Sequence, residues 1–260
     1  MTVVAPYRQG PLARVNPVAK FGFSLAVTLG LLLTIDWVTA AVALLAELVL
    51  LAFVGLPSKL VVVRTAPVWI AAPLAGLTTV LYGRTSGTVY WHWSLIEVSD
   101  GSIALGAATA LRVLAIGIPA VLLFVTIDPT DLADGLAQVL RLPARFVLGG
   151  LAGLRLIGLF IDDWRALGLA RRARGVGDRG AVTRFFGQSF ALLVLSIRRG
   201  SKLATAMEAR GFGGPTPRTW ARPSVFHLRD WMVVLLGVAV ALLATGVAIA
   251  AGSWNLVGAS

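Results

Sequence analysis

Residues 141–175 read RLPARFVLGGLAGLRLIGLFIDDWRALGLARRARG, and the reading of this stretch decides the fold. Its apolar positions recur at helical spacing, yet Arg141, Arg145, Arg155, Arg165, Arg171, Arg172 and Arg174 load it with more charge than a span in hydrocarbon tolerates. The stretch is helical in pattern and not membrane-spanning in charge. It closes on Gly175, the residue type that most cheaply takes positive φ after a helix. A second tract closes the same way: Ala173-Arg174-Gly175 and Ala209-Arg210-Gly211 end two long helices 36 residues apart. A short helix is expected from Asp128-Pro129-Thr130, an acidic cap with Pro at the first helical position, to near Pro143. Two long ones are expected from about Ala144 to Arg174 and from about Val182 to Arg210, each roughly 45 Å long at 1.5 Å per residue.

Outward from this stretch the composition changes. Of 23 basic residues in the 260-residue chain, 16 lie between Arg141 and Arg229, where the acids are Asp162, Asp163, Asp178 and Glu208, so the segment carries +12 and the remainder −1. The whole chain is 57% hydrophobic and 13% charged, about half the charged fraction of a soluble domain. Such a chain is an integral membrane protein with one basic insert. The absence of Cys excludes a disulfide framework, a thiolate metal site and a thiol nucleophile.

The apolar runs Phe21–Ile35, Val38–Leu56, Leu60–Tyr82, Ile103–Ile127 and Trp231–Gly252 predict about five transmembrane helices. The first is short and is expected to extend back toward Pro17, and Asp36-Trp37 makes a tight turn after it. The fold class is therefore all-α: about five spans plus a region of one short and two long crossed helices. The expected division is 1–127 for the N-terminal tail and four spans, 128–229 for the basic insert, and 230–260 for the last span and tail. By the positive-inside rule the N-terminus and the insert lie in the cytoplasm, because Arg8, Arg14, Lys20, Lys59, Arg64 and the insert then all fall inside. The C-terminus lies outside, as does the aromatic connection Gly83–Gly101 with Tyr90, Trp91 and Trp93. With Pro6, Gly10 and Pro11 before the first apolar run, no cleaved signal peptide is expected.

Three further features invite a role. Glu47 and Arg112 each stand nine residues from the outer end of their runs, and equal depth suggests a structural ion pair between spans two and four. Gly149, Ala152 and Gly153 in one long helix, and Gly187, Ser196, Gly200 and Ala204 in the other, suggest a close helix crossing. Pro67, Pro73 and Pro119 suggest kinks within spans. An Arg ending a helix is favourable in any protein, since it meets exposed carbonyls. Two in one context also offer two planar forks suited to carboxylates in a partner's groove.

The paired Ala-Arg-Gly tripeptides, in the context Ala206-Met207-Glu208-Ala209-Arg210-Gly211-Phe212, resemble the signature of the transmembrane T component of energy-coupling-factor (ECF) transporters, the EcfT/CbiQ/BioN-like family. Arg14-Val15-Asn16-Pro17-Val18-Ala19-Lys20 is similar to that family's Leu-x-Pro-x-x-Lys lead into span one, with Val15-Asn16 where Leu-Asp is commoner. Asp128-Pro129-Thr130-Asp131-Leu132 through Leu140-Arg141-Leu142-Pro143 is similar to the stretch opening its coupling region. The resemblance implies a non-enzymatic plasma-membrane subunit of an ABC importer for vitamins or metal ions. It implies two cytoplasmic ATPase partners, docked by Ala173, Arg174, Gly175 and by Ala209, Arg210, Gly211, and one small membrane-embedded substrate-binding S component. ATP and Mg would be bound by the ATPases and no cofactor by this chain, which has no G-x-x-x-x-G-K-[ST].

Rival readings are weaker. Asp131-Leu132-Ala133-Asp134-Gly135 matches the start of the CDP-alcohol transferase metal motif, but the downstream paired Asp residues are missing. His92 and His227 form no H-E-x-x-H, there is no G-x-S-x-G, and Arg-rich sequence at an inner membrane face needs neither nucleic acid nor any partner beyond lipid to explain it. A conventional ABC permease subunit lining its own pathway would carry one coupling helix per chain, whereas this chain has two Arg motifs.

Overall fold

A computed structural model of the chain describes residues 11–84, 86–93, 96–175, 180–214 and 219–254. After a 3-10 turn (Pro11–Arg14) come α1 (Pro17–Leu32), α2 (Trp37–Val54), α3 (Ser58–Tyr82), β1 (Val89–Trp93), β2 (Ile96–Ser99), α4 (Asp100–Val125), α5 (Pro129–Gln138), α6 (Ala144–Ala173), α7 (Ala181–Ala209) and α8 (Leu228–Ala250). The chain forms two compact units. One is Ala133–Ser224; the other comprises the described residues up to Leu132 and from Val225 onward. Arg8, Asp178, Arg179 and Arg218 lie outside the described residues.

In the second unit α4 packs against α3, α2 and α1, and α8 against α1 and α2. The core is made of Phe23, Val27 and Leu31 from α1, Ala40 and Ala43 from α2, Ala115 and Leu123 from α4, and Val240 and Ala244 from α8. Small residues set these distances. A Cβ on Gly76 would stand 2.9 Å from the Gly106 carbonyl oxygen, and one on Gly106 would stand 2.8 Å from that of Gly76, so α3 and α4 cross backbone to backbone. The outward side chains, among them Leu29, Ile70, Leu74 and Leu242, are apolar and exposed, as a lipid-facing surface requires.

Among the described residues four helices are long and apolar enough to cross a membrane: Lys59–Tyr82, Asp100–Val125, Ala144–Ala173 and Leu228–Ala250. Three of them, α3, α4 and α8, are expected spans. The expected first two are α1 and α2, of 16 and 18 residues, or about 24 and 27 Å against a hydrocarbon core of about 30 Å. Helix α1 does extend back to Pro17, and Asp36 makes the turn by capping α2, accepting from the Thr39 N–H at 2.7 Å. The fourth, α6, was assigned by its charge to the insert. It meets the criterion of length and composition because Phe146–Ile161 contains a single ionisable residue, Arg155.

The aromatic connection holds a small antiparallel hairpin, β1 with β2, interrupted by an irregularity between Val89 and Trp91. Val, Tyr and Trp favour strands as much as interfaces, so the aromatic-belt reading of the sequence passed over it. His92 Nε2 meets Glu97 Oε1 across the hairpin at 3.0 Å, and the Tyr90 hydroxyl donates to Asp100 at 2.7 Å. Beyond this hairpin the described residues form helices and their connections, an all-α membrane protein.

Candidate docking and coupling site

Helices α6 and α7 end in nearly identical geometry. Arg174 caps α6 at φ −90, ψ 6 and Arg210 caps α7 at φ −91, ψ 9, and the following Gly175 and Gly211 take φ +69 and +75. At the second end the Gly211 N–H donates to Glu208 O at 2.9 Å and the Phe212 N–H to Met207 O at 3.0 Å, the two bonds of a Schellman motif. At the first, the Gly175 N–H donates to Arg172 O at 3.0 Å, the equivalent of the first of those bonds. The backbone thus satisfies the last carbonyls itself, and the arginine side chains are not needed as caps. Both arginines are exposed, and among the described residues neither guanidinium has a hydrogen bond or an ion pair. Ala173 and Ala209 close the helical segments and Gly175 and Gly211 turn the chain away, so all six motif residues sit where the helix ends present the forks.

Each end borders a concavity. Arg210 lines a cleft of about 770 Å³ together with Arg145 and Leu148 of α6 and Met207, Phe212 and Thr219. Near the first end, Trp164, Arg165, Arg172, Arg184 and Phe185 line a groove of about 820 Å³. Between the two ends the long helices run antiparallel and touch. Arg199 donates from both terminal nitrogens to Asp163, at 2.5 and 3.3 Å, and Trp164 meets Phe185 edge-on with centroids 5.7 Å apart. A Cβ on Gly187 would stand 2.7 Å from the Arg171 guanidinium, so the glycine makes room for that side chain.

Three of the four glycines proposed to knit these helices do not. Gly149, Gly153 and Gly200 open onto free space, and of the glycines named only Gly187 lies at the crossing. A Gly-rich helix offers many helical spacings, and the contact was decided instead by the Asp163–Arg199 pair, which single-residue spacing could not reveal. On α7, Val182, Phe185, Phe186, Phe190, Leu193, Val194 and Ile197 fall on one face at helical spacing and are all exposed.

Glu47 and Arg112 are not brought together. Both Glu47 carboxylate oxygens and the Arg112 Nε are buried without a hydrogen-bond partner among the described residues. Arg112 lies instead within Coulombic reach of Asp36, the α2 cap, eleven residues before Glu47 and about 16 Å from it along a helix. Equal residue counts from two loops do not give equal depth. Asp131 and Asp134 stand on α5, and no group of three or more His, Cys, Asp or Glu converges among the described residues.

Sequence reasoning counted Lys20 as a loop charge, whereas the structure buries it. Lys20 is 2% exposed and its Nζ donates to the carbonyl and the hydroxyl oxygen of Thr126, each at 3.1 Å. The Asn-Pro-x-x-Lys pattern was the available signal, since it describes an N-cap, a first helical Pro and a residue one turn later.

Residues 9–220 match the CbiQ family, described as cobalt transport protein. Three curated relatives are each called "Energy-coupling factor transporter transmembrane protein". That of Lacticaseibacillus paracasei is 35% identical over 64% of this chain and 69% of its own. That of Brevibacillus brevis is 27% identical over 90% of this chain and 93% of its own. That of Listeria monocytogenes, numbered 1 in its name, is 28% identical over 83% of this chain and 86% of its own. With the match covering both units and both arginine-capped helix ends, this chain belongs to the CbiQ family, as a transmembrane component of an energy-coupling factor transporter.

Proposed function

We propose that the chain couples two cytoplasmic ABC ATPases to a small membrane-embedded S component that binds a vitamin or metal ion, and so drives uptake of that micronutrient. The observation that carries this reading is the equivalence of the two helix ends: one chain offers two exposed, unpaired arginine forks in the same backbone setting. Each fork is suited to a carboxylate in an ATPase groove. The ATPases would bind ATP and Mg, and this chain would bind neither. The apolar face of α7, from Val182 to Ile197, supports contact with a membrane-embedded partner, since a face of this size is costly to leave in water. The Asp163–Arg199 link supports a lever role, because motion at one helix end then reaches the other helix. In this reading the N-terminus and the Arg-rich unit face the cytoplasm and the C-terminus faces outward.

Removing one fork leaves a partner carboxylate unpaired and costs about 2–5 kcal/mol of docking where that pair is buried. Arg174→Ala and Arg210→Ala are each expected to lower transport more than membrane abundance, and the double variant to release the ATPases on purification. Retention of both ATPases by the double variant overturns the reading.

A further inference from the structure

The start of α1 holds the chain at Thr126, shortly before it leaves the unit that contains α1 after Leu132, and at Val225, where it rejoins. The backbone N–H of Asn16 donates to Asp230 Oδ1 at 2.7 Å, and its side-chain Nδ2 to the Val225 carbonyl at 3.3 Å. Asn16 Oδ1 also accepts from the Val18 N–H at 2.9 Å, capping α1 itself. Asp230, 1% exposed, accepts a second backbone N–H, from His227 at 2.7 Å, and sits in the first turn of α8. One turn along α1, Lys20 Nζ reaches the Thr126 carbonyl and hydroxyl at the C-terminus of α4. Thr126 Oγ1 donates its own hydrogen bond to the Leu123 carbonyl at 2.7 Å, which leaves its lone pairs for the ammonium. The charges match the helix ends they touch, a cation at the end of α4 and an anion at the start of α8. Residues 127–224, which include α5, α6 and α7, lie between these two attachments.

We infer that the first turn of α1 is the transmission joint of the protein, with Lys20 and Asn16 as positioning residues. The two covalent crossings to the α5–α7 segment are thereby tied to one helix turn and displace α1 together. Separate crossings would let each flex alone, and the displacement would be lost at the joint. This rests on the ATPase-coupling reading above, and it gives a role to a lysine that stands in an otherwise apolar first turn. Lys59 and Arg64 of α3 show no comparable buried bond among the described residues.

The test uses the complete complex in lipid nanodiscs, with ATP as the probe. The chain has no cysteine, so one introduced at exposed Leu29 labels α1 alone in this chain with a polarity-sensitive fluorophore, the partners' reactive thiols having been replaced. ATP is expected to shift the fluorescence in the parent complex. In Lys20→Met, which keeps side-chain length and removes the donors, the shift falls about tenfold or more while ATP hydrolysis and subunit stoichiometry stay within about twofold. Lys20→Arg restores most of it. Thr126→Val removes one of the two acceptors and gives an intermediate loss, which decides the matter if Lys20→Met does not assemble. A shift that falls only in step with hydrolysis, or that survives Lys20→Met or Thr126→Val unchanged, overturns the joint and leaves the docking reading intact. Failure of the parent complex to retain any ATPase overturns both.

Discussion

At the residue scale, Arg174 and Arg210 are separated from ordinary helix caps by what the backbone does around them. The Schellman bonds at Gly211 already satisfy the terminal carbonyls, so the guanidinium is left for another partner. A Lys at either position keeps the charge and loses the two-pronged geometry, so Arg210→Lys is expected to retain less than half the ATPase bound by the parent. That is checked by co-purification at fixed salt. The glycine matters equally: at φ +75 a Cβ costs about 1–2 kcal/mol, and Gly211→Val is expected to fray the end of α7, seen as faster hydrogen exchange at residues 208–212. Glu47 leads to the opposite kind of expectation. Its carboxylate is buried without a partner among the described residues, so Glu47→Leu should raise stability in detergent by about 1–3 kcal/mol, and a loss of stability would show that the carboxylate is bonded after all. Sequence spacing suggested an ion pair with Arg112 because it gives distance along each helix and not the height at which each helix starts.

At the element scale, the start of α5 and both ends of α6 and α7 were readable to within a residue or two, because Pro129, Pro143, Gly175 and Gly211 mark them by backbone chemistry alone, whereas α5 stops at Gln138, well short of the expected end near Pro143. Contacts between elements were less readable. Glycines at 149, 153 and 200 looked like a crossing and face open space, whereas Gly76 and Gly106, unremarked among many small residues, bring α3 and α4 into backbone contact. Gly106→Leu is therefore expected to cost about 1–3 kcal/mol or more, measured as a lower unfolding temperature of the purified chain, with Gly149→Leu near neutral. The long helices depend on a different contact. A double-mutant cycle on Asp163→Ala and Arg199→Ala is expected to give a coupling of about 1 kcal/mol, since the pair is bidentate and only partly exposed.

At the scale of the whole molecule, the distribution of charge carried most of what the sequence told. A +12 segment is set into a −1 apolar body, and the compact units divide at Leu132 and at Ser224. What the charge pattern hid was the burial of Lys20, which counts as an ordinary loop charge until the fold buries it. On the proposed reading, two arginine-capped helix ends on one chain let a single copy serve both ATPases. Native mass spectrometry of the complex, released intact from nanodiscs, measures that directly. The account predicts one copy of this chain with two ATPase subunits and one small membrane protein. Two copies of this chain with two ATPases, and no small membrane protein, would contradict it.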